Sequence, residues 1–127
     1  MDIIIGGCFQ GKLDYAKNKY NLNISDINDL TKEELDLSKK CLYHFEYFAY
    51  NASKNTLDTI EEIKRIESLL KNKIIIIDDI FEGVVPIDKE IRKYREEAAK
   101  LSAYLVKKSD TAVRIYLGIE EKLKWEI

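Results

Sequence analysis

Four consecutive isoleucines, 74–77, followed at once by Asp78 and Asp79, constrain this chain more than any other stretch. A run apolar on both faces suits a strand in the middle of a parallel sheet, because helices cover such a sheet on both sides. A second run, Ile3, Ile4 and Ile5, opens the chain and breaks into glycines, and helical patterns lie between and after the two runs. This alternation predicts an α/β fold: an open, mainly parallel sheet with flanking helices and a ligand site at the carboxyl ends of its strands.

The glycines that end the first run carry a spacing of their own. In Gly6-Gly7-Cys8-Phe9-Gln10-Gly11-Lys12-Leu13, the residues Gly6, Gly11 and Lys12 match G-x-x-x-x-G-K. Such a loop turns backbone N–H groups toward phosphate, adds the positive end of the following helix, and lets the lysine reach the outer phosphates. All eight residues are therefore nucleotide-binding candidates, and the sheet is expected to be of P-loop type. The pattern calls next for a Ser or Thr hydroxyl on Mg²⁺, and the chain has Leu13 instead. On the residues alone, a plain glycine turn with a solvated lysine is the alternative.

Acids at the end of a buried parallel strand complement such a loop. Asp78 and Asp79 are expected to hold Mg²⁺, directly or through water, and Asp79 to orient or deprotonate an attacking hydroxyl. The plainer use of two aspartates is to end the strand and begin a turn.

Composition narrows the setting. The 127 residues form a single domain, 1–127, large enough for one core and small for a complete α/β enzyme. A net charge of −2 with interspersed acids and bases argues against a nucleic-acid partner. No apolar run approaches the ~20 residues that span a bilayer, so no membrane partner is expected and the reading is cytoplasmic. Cys8 and Cys41 lack the spacing of a zinc site or a disulfide framework and read as free thiols.

Along the chain, Leu13, Ala16 and Tyr20 predict a helix over 12–20, followed by a strand over 22–27. Thr31 and Glu34 match a capping box that would open a long helix, on which Leu37, Cys41, Phe45 and Phe48 share one face. Tyr43, Tyr47 and Tyr50 broaden that face, as core rim or as a platform for a flat ligand, and His44 sits at its edge. Leu57, Ile60, Ile63, Ile66 and Leu69 predict a helix over 56–70 with a second capping box at Thr59 and Glu62. Residues 80–86 read as a loop. Pro86 and Asp88 open a long helix carrying Ile87, Ile91, Tyr94, Ala98, Leu101 and Leu105, with Arg92 and Arg95 on another face. These arginines could clamp phosphate with planar forks or be solvated. A turn at 107–110 leads to a last strand marked by Val113, Ile115 and Leu117.

The start, IIIGGCFQGK, and above all IIIIDDIFEGVVPIDKEIRKYREEAAKLSAYLVKKSDTAVRIYLGI resemble the adenosylcobinamide kinase / adenosylcobinamide-phosphate guanylyltransferase family of cobalamin biosynthesis. The second stretch follows without a gap the family's run from a strand ending in Asn-Glu, through G-[IV]-V-P and an arginine-bearing helix, to G-I-P. Gly83-Val84-Val85-Pro86 falls on G-[IV]-V-P, Asp78 and Asp79 on Asn-Glu, and Arg92 and Arg95 on the arginine helix. The resemblance implies an ATP- or GTP-dependent, Mg²⁺-dependent kinase acting on the alcohol of an adenosylcobinamide-like corrinoid, with Lys12, Asp79, Arg92 and Arg95 as catalytic residues. It also implies a homotrimer.

The family's longer middle carries a guanylyl-accepting histidine in an H-x-x-R-R-like context. Here the only histidine is His44, within CLYHFEYFAY, where no arginine is present, and Glu120 replaces the final proline. A histidine nucleophile needs neighbouring cations to hold the phosphates it attacks. Covalent guanylylation is therefore expected to be absent. The alternative to a kinase is a catalytically degenerate relative that binds nucleotide or corrinoid, which Leu13 favours.

Overall fold

The computed structural model describes residues 1–7, 9–79 and 89–124. Within them the fold is α/β, with a mostly parallel six-stranded sheet. Strand β1 is Asp2–Gly6, β2 Ile27–Asp29, β3 Cys41–Tyr43, β4 Ile74–Asp78, β5 Thr111–Tyr116 and β6 Ile119–Lys124. The helices are α1, Lys12–Tyr20; α2, Glu46–Lys54; α3, Thr59–Ile66; and α4, Lys89–Lys108. The strands lie in the order β2-β3-β4-β1-β5-β6, and only β6 runs antiparallel to its neighbour.

The isoleucine runs occupy the centre, as their two-sided apolarity requires. Ile3, Ile5, Ile75 and Ile77 face a core closed by Ala49 of α2, Ile63 of α3, and Ala98, Leu101 and Leu105 of α4. Ile4, Ile74 and Ile76 face the opposite way, onto Ala16 of α1, with Val113 and Ile115 beside them. Strands β1 and β4 pair in parallel with Gly6 opposite Asp78. The glycine turn and the aspartates therefore leave the sheet side by side.

The structure agrees with the expected helix over 12–20 and places the expected strands at β1, β4 and β5. Elsewhere it departs from the sequence reading. The strand expected over 22–27 is a single 3-10 turn, Ile24–Asp26, capped by a box between Asn23 and Asp26, and then the short β2. No helix starts at Thr31. Its N–H and hydroxyl both donate to the Asp29 carboxylate, at 3.0 and 2.7 Å. Buried Asn28 fixes the following loop: its amide donates to Glu33 Oε1 and to the Glu34 carbonyl, both at 3.0 Å, and its carbonyl accepts the Asp36 N–H at 2.8 Å. Side chains that bond backbone in this way compete with helix formation.

The face assigned to one long helix is thus divided. Cys41 lies in β3, Phe45 stands at the junction, and Phe48 belongs to α2. Farther on, the capping residue of α3 is Asp58, which accepts the N–H groups of Ile60 and Glu61, so Thr59 is not the cap. A 3-10 turn, Glu67–Leu70, completes that segment. Leu117, expected in the last strand, sits in the tight turn before β6 with φ 52°. The loop 80–86 and the helix opening at Pro86 and Asp88 lie outside the described residues. Among those described, no helix is long and apolar enough to cross a membrane.

Candidate functional site

The carboxyl edges of β1, β3 and β4 converge on one cluster, and glycine is required where the chains crowd. A Cβ on Gly6 would stand 2.6 Å from the Ile115 carbonyl oxygen and 3.3 Å from the Lys12 stem. Lys12, the first residue of α1, folds back through that space and is 5 % exposed. Its Nζ lies 2.7 Å from Asp78 Oδ1 and donates to the Gly7 carbonyl at 2.5 Å.

Gly11 precedes α1 with φ 87° and contributes no side-chain cap. The first N–H groups of that helix thus face the loop without a side-chain acceptor from the capping residue. The loop is tied to the β5–β6 turn, because Gly118 donates to the Gln10 carbonyl at 2.9 Å and Leu117 to Gln10 Oε1 at 2.7 Å. Phe9, also left-handed at φ 59°, is fully exposed at the tip. Leu13 packs against the apolar cluster under α1.

Sequence reasoning placed His44 on a helix edge, and the structure moves it into the site. It follows β3 directly, with φ 57°, a conformation uncommon for a residue with a side chain. The next residue anchors the turn: Phe45 is wholly buried and donates its N–H to the Ile76 carbonyl at 3.0 Å. His44 Nδ1 then lies 3.2 Å from Glu46 Oε2 and 3.4 Å from Asp78 Oδ2, and its ring stacks on Tyr43 at 3.9 Å. Glu46 is itself buried, and its Oε1 accepts the Asp78 N–H at 3.0 Å. Neither His44 nor Glu46 was legible as a partner of Asp78. Their one sequence signal is the H-x-E spacing after a short apolar stretch.

Two cations and two carboxylates thus meet at this edge. The hydrogen bonds to Asp78 and then Glu46 raise the His44 pKa to about 9, against the opposing effect of burial. Burial pushes the Asp78 carboxyl upward, but the hydrogen bonds from His44 and Lys12 outweigh it and hold the pKa at about 2.

The pH consequence follows from linkage. A histidine whose folded pKa is raised contributes its full stability below its unfolded value near 6.5 and loses it as pH rises through about 9. Asp78 contributes above its unfolded value of 3.8 and loses that contribution as pH falls through about 2. With chelator present, wild type should be more stable than His44→Gln by about 1–2 kcal/mol at pH 6, after allowance for solvent screening. That margin should vanish by about pH 9.5. Melting temperatures across this range check it, and a margin independent of pH would contradict the imidazolium assignment.

Asp79 turns away from this cluster. Its N–H donates to the Gly6 carbonyl at 2.7 Å, and its Oδ2 lies 3.2 Å from Arg114 of β5. The loop residues Phe9, Gln10, Gly11, Lys12 and Leu13, with Tyr43, His44 and Asp78, line an open cleft of about 470 Å³. Arg92 is exposed and lines a separate cleft on α4, and Arg95 is half-buried on the same helix. Cys8 and the stretch Gly83-Val84-Val85-Pro86 lie outside the described residues. In comparisons with known proteins, the chain matches no family model and no curated protein.

Proposed function

We propose that this edge binds the phosphates of ATP or GTP and that the protein is a phosphotransferase of the adenosylcobinamide kinase type, acting on the alcohol of a corrinoid. One observation carries the reading: Lys12 folds back over Gly6 and ends at Asp78, beneath a glycine turn that leads into a helix without a side-chain cap. A lysine, helix N–H groups and an adjacent strand acid are the parts that phosphoryl transfer needs, since its catalysis is mostly positioning and electrostatic stabilisation. The corrinoid acceptor, cobalamin biosynthesis and a trimeric assembly come from the sequence resemblance alone.

On this reading Lys12 exchanges Asp78 for the nucleotide's outer phosphates, while His44 keeps Asp78 neutralised. The corrinoid hydroxyl oxygen attacks the γ-phosphorus as the bond to the leaving nucleoside diphosphate breaks, and the hydroxyl proton passes to Asp79 once that carboxylate leaves Arg114. A role for Arg92 or Arg95 on the transferred group comes from the sequence resemblance, since Arg92 lines a separate cleft on α4. Asp78 and Asp79 would be the carboxylates to hold Mg²⁺, which would supply neutralisation of phosphate charge. Carboxylates are suitable donors for it, whereas Leu13 offers none. A catalytically degenerate nucleotide- or corrinoid-binding relative is the second reading, favoured by the commitment of Leu13 to apolar packing.

The test is incubation with ATP or GTP, Mg²⁺ and adenosylcobinamide, followed by analysis of nucleotide, corrinoid and intact protein mass. The expected result is corrinoid-dependent release of ADP or GDP with a phosphorylated corrinoid and no GMP adduct on the protein. Binding without turnover would select the degenerate relative. A GMP adduct lost in His44→Ala would instead establish the guanylyl-transfer step.

A further inference from the structure

We infer that His44, Glu46 and Asp78 form a binding site for a divalent transition-metal ion, with Mn²⁺ and Zn²⁺ as its chemical class. His44 Nδ1 lies 3.2 Å from Glu46 Oε2 and 3.4 Å from Asp78 Oδ2, and the three candidate ligand atoms all lie within 4.8 Å of one another. Ligands about 2.0–2.1 Å from a tetrahedral Zn²⁺ stand about 3.3–3.4 Å apart along each edge. Two of the three separations therefore already match a shared ion, and the third lies within 4.8 Å.

The remaining oxygens make the argument stronger than proximity alone. Asp78 presents Oδ2 to the imidazole while Lys12 holds Oδ1 at 2.7 Å. Glu46 presents Oε2 while its Oε1 accepts the Asp78 N–H at 3.0 Å. Each carboxylate thus has one oxygen fixed by the protein and the other aimed at the same nitrogen. Metal-ligating carboxylates are oriented by outer hydrogen bonds of this kind. Both carboxylates are buried, and His44 and Asp78 also line the cleft, which gives an ion a path from solvent.

The donor set selects the ion. Mg²⁺ prefers an octahedron of oxygens and keeps much of its water, so an imidazole among two carboxylates suits it poorly. Imidazole with carboxylate suits the first-row series from Mn²⁺ to Zn²⁺. The ion displaces the imidazolium proton of His44 to solvent, and the two carboxylates then balance its charge. This inference deepens the reading of the Asp78 edge given above by naming a cation and its ligands, and it does not require nucleotide to be present.

The experiment uses full-length protein without a histidine tag, stripped with chelator and titrated calorimetrically with MnCl₂ and, separately, ZnCl₂, with no nucleotide. Wild type should bind one ion saturably. His44→Ala and Glu46→Gln should each weaken it at least tenfold while circular dichroism stays native. Glu46→Gln keeps the side-chain oxygen that accepts the Asp78 N–H, so it guards against a fold failure in the other variant. Cys41→Ser should bind as wild type does. No saturable binding of either ion, or affinity unchanged in both site variants, would overturn the inference. Nucleotide binding measured on the same metal-free preparation succeeds or fails independently, which separates this site from the phosphate reading.

Discussion

Phe45→Ala should lower stability by about 3–5 kcal/mol, the range for truncating a fully buried aromatic. Its ring is wholly buried and stacks on Phe48 with centroids 5.2 Å apart, in the core shared by α2, α3, α4 and the sheet. The residue also holds the chain between two site groups. Its N–H bond to the Ile76 carbonyl places His44 on one side and Glu46 on the other, both against Asp78. Denaturant unfolding measures the stability loss. The raised pKa of His44 should fall toward its ordinary value in the same variant, which NMR titration of the single imidazole can read. A loss below about 1 kcal/mol would mean that the surroundings collapse into the cavity, against the close packing of this core.

Loss of the Lys12 ammonium is the second large effect, and its sign differs between stability and binding. Lys12 and Asp78 are both nearly buried, so Lys12→Ala leaves Asp78 with His44 as its described cationic partner and lowers stability. Lys12→Met keeps most of the stem that packs over Gly6 and serves as the companion variant. For nucleotide, a lost charge-assisted phosphate contact of about 1.5–3 kcal/mol corresponds to roughly ten- to hundredfold in affinity. Both variants should show that loss while remaining folded at low temperature.

The parts legible in the sequence were those whose local and tertiary demands coincide. The central strands were readable because isoleucines 74–77 and Ile3 to Ile5 can satisfy two covered faces only in the middle of a sheet. Helix α1 was readable because Gly11 directly precedes it and Leu13, Ala16 and Tyr20 recur at helical spacing. Asp78 was named from its strand, and Lys12 from the glycine spacing, and the structure brings the two into contact.

The segment between 31 and 50 was misread because Leu37, Cys41, Phe45 and Phe48 repeat at helical intervals while belonging to a loop, a strand, a junction and a helix. A strand of three residues, Cys41–Tyr43, is too short to display period-two alternation. What decides it is pairing with β2 and β4, which is non-local. The loss of that strand from the sequence reading hid His44, because only the end of a parallel strand beside β4 brings it to Asp78. Strand β6 was missed for a related reason. It is an exposed edge strand of mixed polarity, so burial leaves no pattern in its residues.

The most direct test of the phosphate reading is calorimetric titration of wild type and Lys12→Ala with ATP and with GTP in the presence of Mg²⁺. The account predicts one saturable site in wild type and an affinity lower by roughly ten- to hundredfold in the folded variant. Equal affinity in the two proteins, or no saturable binding of either nucleotide to wild type, would contradict it.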